Sequence, residues 1–164
     1  MATHLSAHLA LPAEPEGAFA LLTDQAYVEE VATATGGHDV AVTITESDDG
    51  GATVVSARVL PANLPSYAKA FVGENLELTE TRVYGPAAAD GSREGTFTVD
   101  FGTTPITIAG TLRLQPEDAT SGLAIEIDIR ASVPFVGGKV EGVASGWIEK
   151  FVAKEEKVAA TYEV

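Results

Sequence analysis

The segment that most restricts the fold begins at Gly137. Val140, Ala144, Trp147, Ile148, Phe151, Val158 and Tyr162 recur there at the helical period and form one apolar stripe. At 1.5 Å per residue such a helix is about 35–40 Å long. A stripe of that length needs a broad apolar partner, and in this chain only a sheet can supply one.

The strands of that sheet are legible as alternation. In Leu123–Val133, residues Leu123, Ile125, Ile127, Ile129, Ala131 and Val133 share one face, and Glu126, Asp128 and Arg130 the other. One dry and one wet face is the mark of an antiparallel sheet. Thr3–Leu11 alternates in the same way, with His4, Ser6, His8 and Ala10 on the wet side, and ends at Pro12 and Pro15. Glu16–Leu22 reads as a short helix. Asp24 can cap a second, Gln25–Thr35, which Gly36-Gly37 terminates. Further strands are predicted around Val40–Thr45 and at Ala52–Leu60, Leu76–Tyr84, Thr96–Phe101 and Ile106–Leu114, with turns at Asp48–Gly51 and Asp90-Gly91. The order is strand, two short helices, six strands, long helix.

Composition narrows the function classes. With 164 residues the chain fits one domain able to bury its own core. It has no cysteine, which excludes disulfides, thiolate catalysis and Cys-ligated metal sites. The formal charge of −14 argues against a nucleic-acid partner, which needs a basic surface. It also argues against binding at an anionic membrane. No apolar run approaches the roughly 20 residues that cross a bilayer, so no membrane insertion is expected. The N-terminal Met-Ala-Thr-His-Leu-Ser lacks a basic stretch and an apolar run, so a cytoplasmic location is expected.

The element order resembles the helix-grip fold of the START, polyketide-cyclase and birch-pollen-allergen (SRPBCC) superfamily, and most closely an uncharacterised, largely actinobacterial domain family of unknown function. The resemblance rests on Phe19–Asp24, Leu60–Pro65, Gly91–Phe97, Gly110–Leu114 and Val133–Glu141, and spans essentially the whole chain. It implies an α+β fold over 1–164, with a curved seven-stranded antiparallel sheet around a long C-terminal helix and two short helices after the first strand. It also implies a cavity between sheet and helix of the kind that often takes a lipid, sterol, polyketide or other apolar molecule. Relatives include enzymes, ligand carriers and co-chaperones.

No residue pattern supplies a catalytic motif, a metal site or a cofactor site. His4 and His8 are about 13 Å apart on a strand, too far to share an ion. Gly137-Gly138-Lys139 lacks the flanking residues of a phosphate loop, and Gly142–Gly146 is out of register for a nucleophile elbow. Asp48-Asp49 and Glu117-Asp118 read as turn residues. If the phase of Leu76, Leu78 and Tyr84 holds, Glu80 and Arg82 also face the concave side, and Glu155 lies in the centre of the helical stripe. Two outcomes are open. These charges form a polar spot in an apolar cavity, or the strand bulges or twists outward and Glu155 reaches solvent at the sheet edge; the cost of burying charge favours the second.

The leading reading is a binder of a small apolar molecule, held between the sheet, including Phe97, and Ala144, Trp147, Ile148 and Phe151. Leu64, Tyr67 and Phe71, in 61–73, either cover the mouth of the cavity or pack as an edge cover. A second reading is a cyclase- or hydrolase-type enzyme that moves protons with Glu80, Arg82, Tyr84 or Glu155. A third is an interaction module without a cavity. Gly142 and Gly146 leave a flat strip on the back of the helix that can accept 61–73 or the second protomer of a homodimer.

Overall fold

The computed structural model describes residues 2–61, 66 and 73–162. Seven strands form one antiparallel sheet: β1 (Thr3–Leu11), β2 (His38–Glu46), β3 (Ala52–Pro61), β4 (Asn75–Tyr84), β5 (Arg93–Asp100), β6 (Ile106–Glu117) and β7 (Thr120–Ala131). The spatial order is β1-β7-β6-β5-β4-β3-β2. Helices α1 (Pro15–Leu22) and α2 (Gln25–Ala34) follow β1, and α3 (Gly137–Ala160) closes the chain. This is the α+β helix-grip arrangement expected from the order of elements.

Each element has a local cause. Along β7, Leu123, Ile125, Ile127 and Ile129 are buried while Glu126, Asp128 and Arg130 are exposed. Fully burying one such side chain contributes roughly 1.5–3 kcal/mol. Asp24 caps α2, its carboxylate accepting the Tyr27 N–H at 2.9 Å. Gly50 and Gly91 take the left-handed conformation in their turns, with φ of 89° and 84°. Arg93 stacks 3.6 Å above the Phe19 ring and donates to the Gly50 and Gly85 carbonyls, which ties the start of β5 to α1 and to two turns.

The structure differs from the sequence reading mainly at element ends. The β6–β7 hairpin runs on to a tight turn in which Asp118 has a φ of 53°. The last strand stops at Ala131 rather than Val133, although Val133 is still buried. Gly137 opens α3 because a Cβ there would come within 2.8 Å of the Ala131 carbonyl oxygen, so a close approach selects this glycine.

The long helix comes close to β1 and β7 on one side and to α2 on the other. Val158 and Ala159 pack with Leu9, Leu123 and α1 in the main core. A second cluster of Ala131, Val133 and Val140 sits under the start of α3. Between these anchors the inner faces of β3–β6 look across a gap to the helix.

Candidate functional site

The gap is a cavity with about 100 Å³ of room for the centres of water-sized molecules. A single water needs roughly 10–15 Å³ on that measure, so there is space for more than isolated waters. Leu76, Leu78, Phe97, Ile108 and Ile127 supply its sheet wall; Ala144, Trp147, Ile148 and Phe151 supply its helix wall. Val28 and Val31 of α2 close one flank. Thr35, Leu60, Trp147 and Phe151 also line a concavity at the surface, together with Gly36, Pro61, Lys150 and Lys154.

One part of the wall is charged. Strands β3 and β4 pair in continuous register, with Ser56 opposite Glu80 and Val54 opposite Arg82. There is no bulge, so the alternation that buries Val54 and Leu60 turns Ser56 and Arg58 inward, and that of Leu76 and Leu78 does the same for Glu80 and Arg82. The expectation that the strand bulges and Glu155 reaches solvent is therefore corrected. Glu155 is 5% exposed and meets Arg82 across the cavity.

The groups form a chain. Arg82 Nη2 donates to Glu155 Oε1 at 2.8 Å and Arg82 Nη1 to Glu155 Oε2 at 3.1 Å, a bidentate pair. Tyr27 Oη donates to Glu155 Oε2 at 3.0 Å. Arg82 Nε lies 3.2 Å from Glu80 Oε2 without the alignment of a hydrogen bond. Arg58 Nη2 lies 3.6 Å from Glu80 Oε1, and Arg58 Nη1 donates to Ser56 Oγ at 3.1 Å. The Arg82 guanidinium also sits 5.8 Å from the centre of the Phe97 ring. Two positive and two negative side chains thus balance inside a largely apolar chamber.

Electrostatics follow from this pairing. Burial pushes the Glu80 carboxyl up, but the Arg82 and Arg58 charges outweigh it and hold the group below its ordinary range. Burial likewise works against the Arg82 charge, and Glu155 and Glu80 overcome it, so its pKa is raised well above the usual value. Tyr27 is raised first by burial and then by the Glu155 charge.

The structure places Glu80, Arg82, Phe97, Ala144, Trp147, Ile148, Phe151 and Glu155 along the cavity. Tyr84 is not part of this lining. It is buried edge-on to Phe19, 5.8 Å between ring centres, its hydroxyl has no aligned hydrogen-bond partner among the described residues, and burial pushes it up to about 12. Leu64, Tyr67 and Phe71 lie outside the described residues. His4 sits between Glu126 and Asp128 on the outer face, and His8 against Glu117. Sequence reasoning missed Tyr27, Ser56 and Arg58. The β3 phase was the available signal, because Ser56 and Arg58 fall between Val54 and Leu60 on one face.

Comparisons with known proteins agree with this architecture. A family model described as "Protein of unknown function (DUF2505)" matches residues 6–162. Uncharacterized proteins of Mycobacterium tuberculosis and Mycobacterium bovis are 25% identical over 113 residues, or 67% of this chain, and the chain covers 64% of their length. Among solved structures, the Zhui aromatase/cyclase of Streptomyces sp. R1128 superposes with a TM-score of 0.62 at 14% identity, over 97% of this chain and 92% of that one. Human STARD10 superposes with a TM-score of 0.63 at 8% identity, over 97% of this chain and 64% of that one. At such identities the likeness is one of fold, the helix-grip fold of the START-like superfamily.

Proposed function

Since the chain belongs to the DUF2505 family and carries a START-like helix-grip fold, we propose that it binds or carries a small apolar molecule, lipid-, sterol- or polyketide-like, between the sheet and α3. The observation that carries this reading is the cavity itself. Its walls are aliphatic and aromatic, and its charged groups are paired with one another. Apolar pockets with a few fixed polar groups are the usual form of small-molecule sites. On this reading residues 1–164 act as one domain, and the surface concavity beside Trp147 and Phe151 is the entry.

Proton-transfer chemistry is less well supported. A cavity acid needs a raised carboxyl pKa, whereas Glu80 is shifted downward and Glu155 gives both oxygens to Arg82. An interaction module with a filled core is also less well supported, because the gap under α3 is open.

Native mass spectrometry of protein isolated gently from its own cells tests the proposal. Extra mass that is lost on denaturation supports it and gives the ligand's class. A bare mass that persists after exposure to a lipid and polyketide extract contradicts it.

A further inference from the structure

The charged end of the cavity has an asymmetry that bears on what it can hold. Arg82 donates to both Glu155 oxygens, and its Nε, though not aligned for a hydrogen bond, lies 3.2 Å from Glu80. Arg58 makes no hydrogen bond to a carboxylate among the described residues. Its side chain is 7% exposed, its Nη1 reaches only a serine hydroxyl, its nearest carboxylate contact is 3.6 Å, and its Nε finds no hydrogen-bond partner among the described residues. A buried guanidinium with an unused donor is costly unless something accepts from it. Charge adds a second restriction. Arg58, Arg82, Glu80 and Glu155 already balance, so an ionised ligand would bring an unpaired charge into a low-dielectric chamber.

From this arrangement we infer that the ligand is a neutral molecule whose polar end is a hydrogen-bond acceptor, a ketone, ester or amide carbonyl, held by Arg58, and that fatty acid anions are rejected. This rests on the apolar-binder reading and goes beyond it by stating the ligand's charge and polar group. The aliphatic body of such a ligand extends toward Ala144 and Ile148 on the helix wall.

The test uses the full chain and three probes of one chain length: octane, 2-octanone and octanoate, at about pH 7.5, where the carboxylic acid is ionised. Trp147 is the chain's sole tryptophan and lines the cavity, so its fluorescence reports occupancy. The inference expects 2-octanone to bind about tenfold tighter than either octane or octanoate, the effect of one hydrogen bond to a charged donor. In the double variant Arg58→Met/Glu80→Gln, which keeps the Arg82–Glu155 pair and the charge balance, the ketone's advantage over octane disappears. Octanoate binding as tightly as the ketone overturns the inference, as does a ketone advantage that survives in the double variant. Octane and ketone binding equally to the unmodified chain overturns it while leaving the apolar-binder reading standing. Failure of all three probes to bind overturns that reading and this inference together. The comparison on the unmodified chain remains decisive if the double variant does not fold.

Discussion

Arg82 on β4 and Glu155 on α3 are joined by two parallel hydrogen bonds of 2.8 and 3.1 Å across the cavity. They tie the sheet directly to the C-terminal half of the long helix. Breaking a buried pair from one side strands a charge, which costs about 3–5 kcal/mol, whereas replacing both partners with apolar groups is often neutral. Glu155→Gln is therefore expected to lower the unfolding free energy by about 3 kcal/mol or more. Arg82→Met/Glu155→Leu should recover most of that loss, with urea denaturation as the readout.

Glu80 predicts a pH dependence. Its pKa is lower in the folded chain than its ordinary 4.5, because Arg82 and Arg58 overcome the opposing effect of burial. The ionised form thus stabilises the fold fully above the ordinary carboxylate pKa, and the contribution is lost as the pH falls through the lower, folded value. Glu80→Gln should flatten the acid limb of the stability profile below that ordinary value. An unchanged acid limb in the variant would show that other carboxylates carry it.

Glu141 fastens the start of α3. Its carboxylate accepts from the Thr3 hydroxyl at 2.8 Å and from the Ala131 backbone N–H at 2.9 Å, and it is 4% exposed. Burial pushes its pKa up, and these two donors together with nearby positive charge, Arg130 included, more than offset that, so the carboxylate form is favoured. Glu141→Ala leaves both donors without this acceptor and should cost roughly 2–3 kcal/mol. Hydrogen exchange should show the Ala131 amide losing protection more than amides in the middle of β7.

Two glycine substitutions should act in opposite directions. A Cβ on Gly110 would overlap the Glu126 carbonyl of the neighbouring strand, so Gly110→Ala must part β6 from β7 and destabilise. A Cβ on Gly142 meets no atom of the described residues within 4 Å, and alanine is favoured over glycine inside a helix by about 1 kcal/mol. Gly142→Ala should raise the melting temperature. A loss of stability there would mean that something packs on this strip.

The alternation of β7 and the helical stripe of α3 were legible because each repeats a single rule over many residues. The charged cluster was not. Glu155 looked costly when weighed alone, since its partner Arg82 lies 73 residues earlier and Tyr27 lies 128 earlier. Pairing across the sheet and helix reverses that cost, and no local pattern encodes it. Arg58 was readable from the phase of Val54 and Leu60, but a charge at an inward position reads first as a break in the pattern. Element ends were harder, because the hydrogen bonds that stop β7 at Ala131 include one from its amide to the Glu141 side chain.

On the proposed reading the ligand occupies the space between sheet and helix. Ala144 lines that space from the helix, and Ala144→Phe would fill part of it. Native mass spectra of this variant and the unmodified chain, isolated in parallel with folding checked by circular dichroism, show whether the ligand sits there. The extra mass on the unmodified chain should be missing from the folded variant. The same bound mass on both would contradict that reading.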